Sequence, residues 1–172
     1  MHVRPLAASD APSYRELMLE AYASASDAFT STREERADEP ESWWVRRIGG
    51  LHARQVSFGA EIEATLVGAV ALEFASKPKT RHGALLIGMY VRERARGRGV
   101  GRSLLEAALN HASGRDGIRV VNLTVTEGNR HAVRLYEHAG FVAWGIQPLA
   151  IATPSGLKGK VHMARAFAGG QA

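Results

Sequence analysis

The chain has 172 residues, a formal net charge of +5 and no cysteine. That length suits one domain with a substantial core. The missing thiols exclude a disulfide scaffold, a catalytic thiolate and any zinc site built on thiolates. The first residues are too polar to begin a signal peptide, and no apolar run approaches the roughly 18 residues of a membrane span. The expectation is therefore a single domain over residues 1–172, in the cytoplasm and away from membranes. Charge is divided unevenly: residues 1–73 carry 7 basic and 12 acidic side chains, residues 74–172 carry 15 and 5. A basic half points to a polyanionic partner, either nucleic acid or a smaller compound with several phosphates.

Ser9, Asp10 and Pro12, followed by Leu17, Met18, Ala21 and Tyr22, predict a capped amphipathic helix of about three turns. Residues 23–39 are rich in Ser, Thr and acid with weak periodicity and read as a loop. Pro40 starts a short helix carrying Trp43, Trp44 and Ile48, which Gly49 and Gly50 stop. From 55 to 74 the period changes to two, with Val56, Phe58, Ala60 and Ile62 alternating before a tight connection at Ala64 and Thr65, which predicts a β-hairpin. After a polar turn at 76–81, residues 84–91 form an almost wholly apolar strand of the kind buried on both faces, with Gly88 inviting a bulge.

Gly101, Leu104, Leu105, Ala108, Leu109 and Ala112 make one continuous helical stripe, ended at Ser113 and Gly114. A strand follows at 120–126, then a helix with Ala132, Leu135, Tyr136 and Ala139 on one face, stopped by Gly140. Residues 141–151 and 157–167 form a terminal hairpin around Thr153 to Gly156, and the tail 168–172 is expected to fray. There is no internal repeat. Strands on either side of the 101–112 helix must be parallel, because an antiparallel return needs no such crossover. The fold class is thus α/β of the α+β type: a mixed, mostly antiparallel sheet of six to seven strands with a central parallel pair, flanked by four helices.

Between Val91 and Leu105 the chain reads V-R-E-R-A-R-G-R-G-V-G-R-S-L-L, a buried strand running through an Arg/Gly loop into a helix. Unpaired N–H groups at a helix start, with glycines that let a phosphate approach them, suit a pyrophosphate. The spacing matches neither the dinucleotide fingerprint G-x-G-x-x-G near a first strand nor the triphosphate loop G-x-x-x-x-G-K-[ST]. Arg96-x-x-Gly99-x-Gly101 resembles the acetyl-CoA motif R/Q-x-x-G-x-G/A of the GNAT superfamily of N-acetyltransferases. Downstream, Asn129-x-x-Ala132-x-x-x-Tyr136-x-x-x-Gly140-Phe141 resembles that superfamily's second motif, and the element order agrees over nearly the whole chain.

The resemblance implies acetyl-CoA as cosubstrate, an amine as acceptor and direct transfer between them. The strand before the glycine loop would bulge at Gly88 and part from its parallel neighbour, leaving the pantetheine arm to the backbone of Met89, Tyr90 and Val91. The pyrophosphate would rest on Gly97, Arg98, Gly99, Val100, Gly101 and Arg102, with charge from Arg96, Arg98 and Arg102. Asn129 would bond the arm or cap its helix, the two roles being compatible. Tyr136 would be a core tyrosine or, as the resemblance implies, the group that assists the departing thiolate. Relatives that pair through their late strands imply, through the resemblance, a possible homodimer by way of the terminal hairpin.

An acceptor ammonium has a pKa near 10 and must lose a proton before it attacks, which calls for a base. The family's Glu positions are Thr124 and the acid-free 84–91 strand here, so no base carries over; Glu73, His82, Glu127 or water remain. The acids Glu34, Glu35, Asp38, Glu39 and Glu41 beside Trp43 and Trp44 suggest an acceptor held by an acid and aromatic surface. The histidines show no metal-ligand spacing, so no metal is expected. Two other classes remain in view. A nucleic-acid binder would use Arg92, Arg94, Arg96 and Arg98, but no aromatic residues interleave with them as a stacking platform. A silent acyl-CoA sensor would keep the loop and not need the Tyr136 hydroxyl.

Overall fold

The computed structural model describes residues 1–50 and 53–167. The expected fraying of 168–172 lies outside the described residues. A seven-stranded sheet has the order β1-β2-β3-β4-β5-β7-β6, from β1 (His2–Pro5), β2 (Gln55–Ile62), β3 (Thr65–Phe74), β4 (Gly83–Val91), β5 (Val120–Thr126), β6 (Val142–Thr153) and β7 (Gly156–Ala166). Every neighbouring pair is antiparallel except β4 and β5. The α-helices among the described residues are α1 (Ala11–Ser24), α2 (Arg33–Ala37), α3 (Glu41–Ile48), α4 (Val100–Ser113) and α5 (Arg130–His138).

The mixed sheet with one central parallel pair is as expected, but β1 and α2 enlarge the list of elements. β1 is four residues long and too short to alternate visibly, yet it pairs His2 to Pro5 with Glu61 to Phe58. The 23–39 segment is not all loop. Thr32 and Glu35 form a reciprocal capping box that opens α2, and the spacing Thr32-x-x-Glu35 was its readable signal. Asp10 precedes α1 but does not cap it with its side chain. Its carboxylate instead accepts from the Arg4 guanidinium at 2.7 and 2.9 Å and from the Ala7 N–H.

Two apolar clusters lie on opposite faces of the sheet. On one face, Leu104, Leu105, Ala108, Leu109 and Ala112 of α4 and Tyr136 of α5 pack on Val56, Val70, Leu72, Leu86, Val121, Leu123, Val125 and Met163. That is the predicted α4 stripe, fully buried from Leu104 onward. On the other face, Tyr14, Leu17, Met18 and Tyr22 of α1 and Trp44 and Ile48 of α3 pack on Leu66, Ala69 and Tyr90. This second roof covers β1 to β4 and leaves β5, β7 and β6 largely open on that side.

The hairpin between β2 and β3 turns on Glu63 and Ala64, both in the left-handed region at φ of 50° and 57°, a geometry that matches the twist of the flanking strands. No described helix is long and apolar enough to cross a membrane.

Candidate functional site

The parallel pair is joined over only three residues, Gly83, Ala84 and Leu85 against Val120, Val121 and Asn122. Beyond Leu85 the strands part. The reason lies in what holds each end. At the end of β4, the Tyr90 hydroxyl meets Ser24 Oγ at 2.9 Å and donates to Glu20 at 3.1 Å. The adjacent Arg92, only 8% exposed, forms ion pairs with Glu16 at 2.7 Å and Glu20 at 3.1 Å. These contacts tie β4 to α1. β5 is instead paired along its whole length with β7. A one-residue bulge, with Ala69 opposite Tyr90 but Ala71 opposite Ile87, completes the divergence at Gly88, whose φ is +63°. The expected bulge therefore stands at the start of the gap, and the backbone of Met89, Tyr90 and Val91 runs along it with no strand on the β5 side.

The glycine loop closes the same end. Gly97 and Gly99 have φ of +73° and +77°, and a Cβ on either would meet nothing within 4 Å. The first N–H paired within α4 is that of Ser103, on the Gly99 carbonyl at 3.0 Å. No acceptor outside the helix takes the N–H groups of Gly97, Arg98, Gly99, Val100, Gly101 and Arg102 among the described residues. Open space, free donors and the positive end of a 14-residue helix make a cradle for anionic oxygens, and a pyrophosphate fits it. Gly101 differs: a Cβ there would meet Leu135 and Met89 at 3.5 Å, ordinary contact, where α4 lies beside α5 and β4.

The arginines of this loop do not act alike. Arg96 folds its Nε onto the Val91 carbonyl at 3.1 Å, Arg102 pairs with Glu106 one turn on at 2.8 Å, and Arg98 is exposed. Arg92 is buried in its ion pairs with α1, so the row of four arginines that a nucleic-acid binder would use is broken at its first member.

Asn129 caps α5, its Oδ1 accepting from the Ala132 N–H at 3.1 Å. The plain role is thus filled, at the mouth of the gap. Tyr136 is 6% exposed with its ring edge-on to Phe141. Its hydroxyl finds no protein partner among the described residues and is not sealed from solvent. Burial holds the phenol proton well above the ordinary tyrosine range, so the group is a neutral donor at working pH. Burial, with the Glu20 carboxylate accepting its proton, also raises Tyr90.

The three candidate bases separate by position. Glu73 lies in register with Leu85, and His82 offers its carbonyl to the N–H groups of Arg119 and Val120. Both sit at the closed end of the parallel pair. Glu127 follows β5 at the open end, where its carboxylate accepts from the Gly159 N–H at 3.3 Å. Any side chain at Gly159 would collide with that carboxylate and with the Gln147 carbonyl. Glu127 shares a cleft of about 440 Å³ with Ser24, Asp27, Thr126, Asn129 and Lys158.

The acid and aromatic surface expected around Trp43 and Trp44 is partly occupied internally, with Glu34, Asp38 and Glu41 left exposed. Trp44 is 1% exposed and belongs to the core. Trp43 is covered by the guanidinium groups of Arg36 and Arg47, Glu39 is paired with Arg36, and Glu35 closes the α2 capping box. Tertiary packing consumed groups whose types alone suggested a binding face. Among the described residues no three His, Asp or Glu side chains converge as a metal site.

The sequence profile of the acetyltransferase (GNAT) family matches residues 18–141, which run from the second half of α1 through the splayed pair, the glycine cradle and Tyr136. The chain belongs to the GNAT acetyltransferase family. Among solved GNAT-like folds, a Salmonella typhimurium protein determined with its cofactor acetyl-CoA superposes with a TM-score of 0.82 at 19% identity, covering 100% of this chain and 96% of that one. A GCN5-related N-acetyltransferase from Kribbella flavida superposes with a TM-score of 0.81 at 25% identity, covering 96% and 97%. A mycothiol acetyltransferase from Streptosporangium roseum is 48% identical over 50 residues. That stretch is 29% of this GNAT chain and spans only 14% of the mycothiol enzyme's length.

Proposed function

We propose that residues 1–172 act as one N-acetyltransferase domain that moves an acetyl group directly from acetyl-CoA to a primary amine within a ternary complex. The observation that carries this reading is the coincidence, at one end of the splayed pair, of a free-donor glycine cradle and a neutral tyrosine hydroxyl with no protein partner among the described residues. The cradle at 97–102 would hold the pyrophosphate, with charge from Arg96, Arg98 and Arg102. The free edge formed by Met89, Tyr90 and Val91 would bond the pantetheine arm as a further strand, with Asn129 beside it.

The acceptor nitrogen must reach the thioester as a neutral amine. Glu127, at the open end, takes the ammonium proton directly or through water. As nitrogen bonds to the carbonyl carbon, a backbone N–H in the 89–91 segment stabilises the developing oxyanion. Tyr136 then donates its proton to the sulfur as the carbon–sulfur bond breaks, and regains one from water. The exposed apolar side chains Val142, Ile146, Leu149 and Leu157 on the edge hairpin support a second copy of the chain as partner; sedimentation at micromolar concentration reads this, and a monomer there removes the dimer.

The direct test is CoA release from acetyl-CoA across a panel of amines, beside a Tyr136→Phe variant. Loss of a proton donor is expected to lower kcat by about 10²-fold or more, while CoA affinity and the melting transition stay as in the parent, because the hydroxyl bonds nothing among the described residues. Equal turnover in the variant removes Tyr136 from the chemistry. CoA binding without release for any amine would favour a sensor.

A further inference from the structure

On the face that α1 and α3 leave open, alternate residues of three strands form a trough beside the splay. In β5, Val121, Leu123 and Val125 join the α4 core, so Asn122, Thr124 and Thr126 present the other side. In β7, Val161 and Met163 pack on the same core, so Lys158, Lys160 and His162 share the opposite side. Register puts Thr124 against His162 and Thr126 against Lys160. Two contacts confirm the direction: Thr126 Oγ1 donates to the Asp27 carbonyl at 2.5 Å, and Lys158 Nζ pairs with the Asp27 carboxylate at 2.9 Å. Leu85, 39% exposed, floors the trough from β4.

The charges here are not balanced. Lys158 is neutralised by Asp27, and Glu127 is turned to the Gly159 N–H. Lys160 and His162 have no carboxylate partner among the described residues. The Trp144 ring, itself 66% exposed, lies 5.0 Å from the His162 ring and extends the trough as an apolar wall. Partial burial lowers the Lys160 ammonium from its ordinary value, the expected mark of a cation desolvated without a counter-ion. Such a surface repels polyamines and holds an anionic oxygen acid.

We propose that the acceptor is an amine that also carries an acidic group, a carboxylate or phosphonate, held by Lys160 and His162 with its carbon chain against Trp144. This rests on the transferase reading above and narrows its substrate. It also reverses the cationic acceptor suggested by the acidic composition of the first half.

The test compares L-norleucine, 1-aminopentylphosphonate and 5-aminopentanoate with pentylamine and spermidine, using CoA release. At least one acid-bearing amine is expected to exceed pentylamine and spermidine in kcat/KM by roughly tenfold, the worth of one charge-assisted hydrogen bond. Lys160→Gln should raise its KM by about the same factor, leaving kcat and the KM for acetyl-CoA unchanged. Preference for pentylamine or spermidine overturns the proposal, as does a Lys160→Gln variant that loses kcat at constant KM, which would make the lysine a proton carrier. A second readout does not need turnover: the His162 ring resonances should shift on titration with the three acid-bearing amines, and their silence overturns the proposal. Failure to bind CoA while those resonances still shift would sink the transferase reading alone.

Discussion

The two faces of the sheet are finished in different ways. One is covered by α4 and α5, with Leu104, Leu105, Leu123 and Met163 at or below 2% exposure. The other is covered by α1 and α3 only as far as β4, and from there on presents Thr124, Lys160, His162 and Trp144 towards solvent. The first face is where burial stabilises the fold, since close-packed apolar area dominates folding energy. The second face is interrupted just where β4 and β5 part, so polar groups there remain available to a ligand. The covered face thus carries the main core together with Tyr136 and the start of α4, while the open face of the same strands keeps its polar groups exposed.

That contrast can be broken most sharply by truncation. Leu104→Ala on the covered face is expected to cost about 2–5 kcal/mol in denaturant unfolding. Thr124→Ala on the open face should stay within about 0.5 kcal/mol. Similar losses at both positions would mean that the open face is packed against something in the folded protein.

A smaller effect separates cradle from scaffold. Gly99→Val places a β-branched side chain at φ of +77° and into open space. It should cost about 1–2 kcal/mol and weaken CoA binding by roughly tenfold or more as donors are blocked. Gly117→Val is the control, with φ of +81° and equally open surroundings in the turn before β5. It should lose similar stability and bind CoA as the parent does, measured by calorimetry; if both variants lose binding alike, the cradle has no special role.

The smallest effect concerns the clasp at the covered end of the second face. Arg4 bridges Asp10, ahead of α1, and Glu61 of β2, at 2.7 and 2.5 Å. The guanidinium holds the Asp10 carboxyl below its usual value. A lowered carboxylate pKa contributes stability above the unfolded value near 4, and that contribution drains as pH falls through the native value. Arg4→Met should therefore cost about 1 kcal/mol at neutral pH and progressively less as pH falls below about 4, towards about pH 2. Melting curves at the two pH values check this, and a pH-independent difference would assign the loss to packing of the arginine stem.

Much of the molecule could be read along the chain. The α4 stripe, the β5 alternation, the bulge at Gly88 and the two spaced motifs at Arg96 and Asn129 rest on periodicity and on near neighbours. Reading was weaker where an element was short: β1 has four residues, and α2 was visible only through its capping box. It failed where residue type was mistaken for availability, as with Trp43, Trp44, Glu39 and Arg92. Each of these is an ordinary surface candidate by composition, and each is engaged by its neighbours once the chain folds.

The sequence by itself determined the family, the glycine loop and the tyrosine, because these depend on spacing within about 15 residues and on backbone freedom that only glycine provides. Tertiary structure alone decided which contacts hold β4 and β5 apart, that Glu127 rather than Glu73 or His82 stands at the open end, and that Lys160 and His162 lack counter-charges among the described residues. Those outcomes hang on contacts such as Arg92 to Glu16 and Lys158 to Asp27, which join residues 76 and 131 positions apart. No local pattern carries such pairings, because they exist only after the sheet has brought distant segments into register.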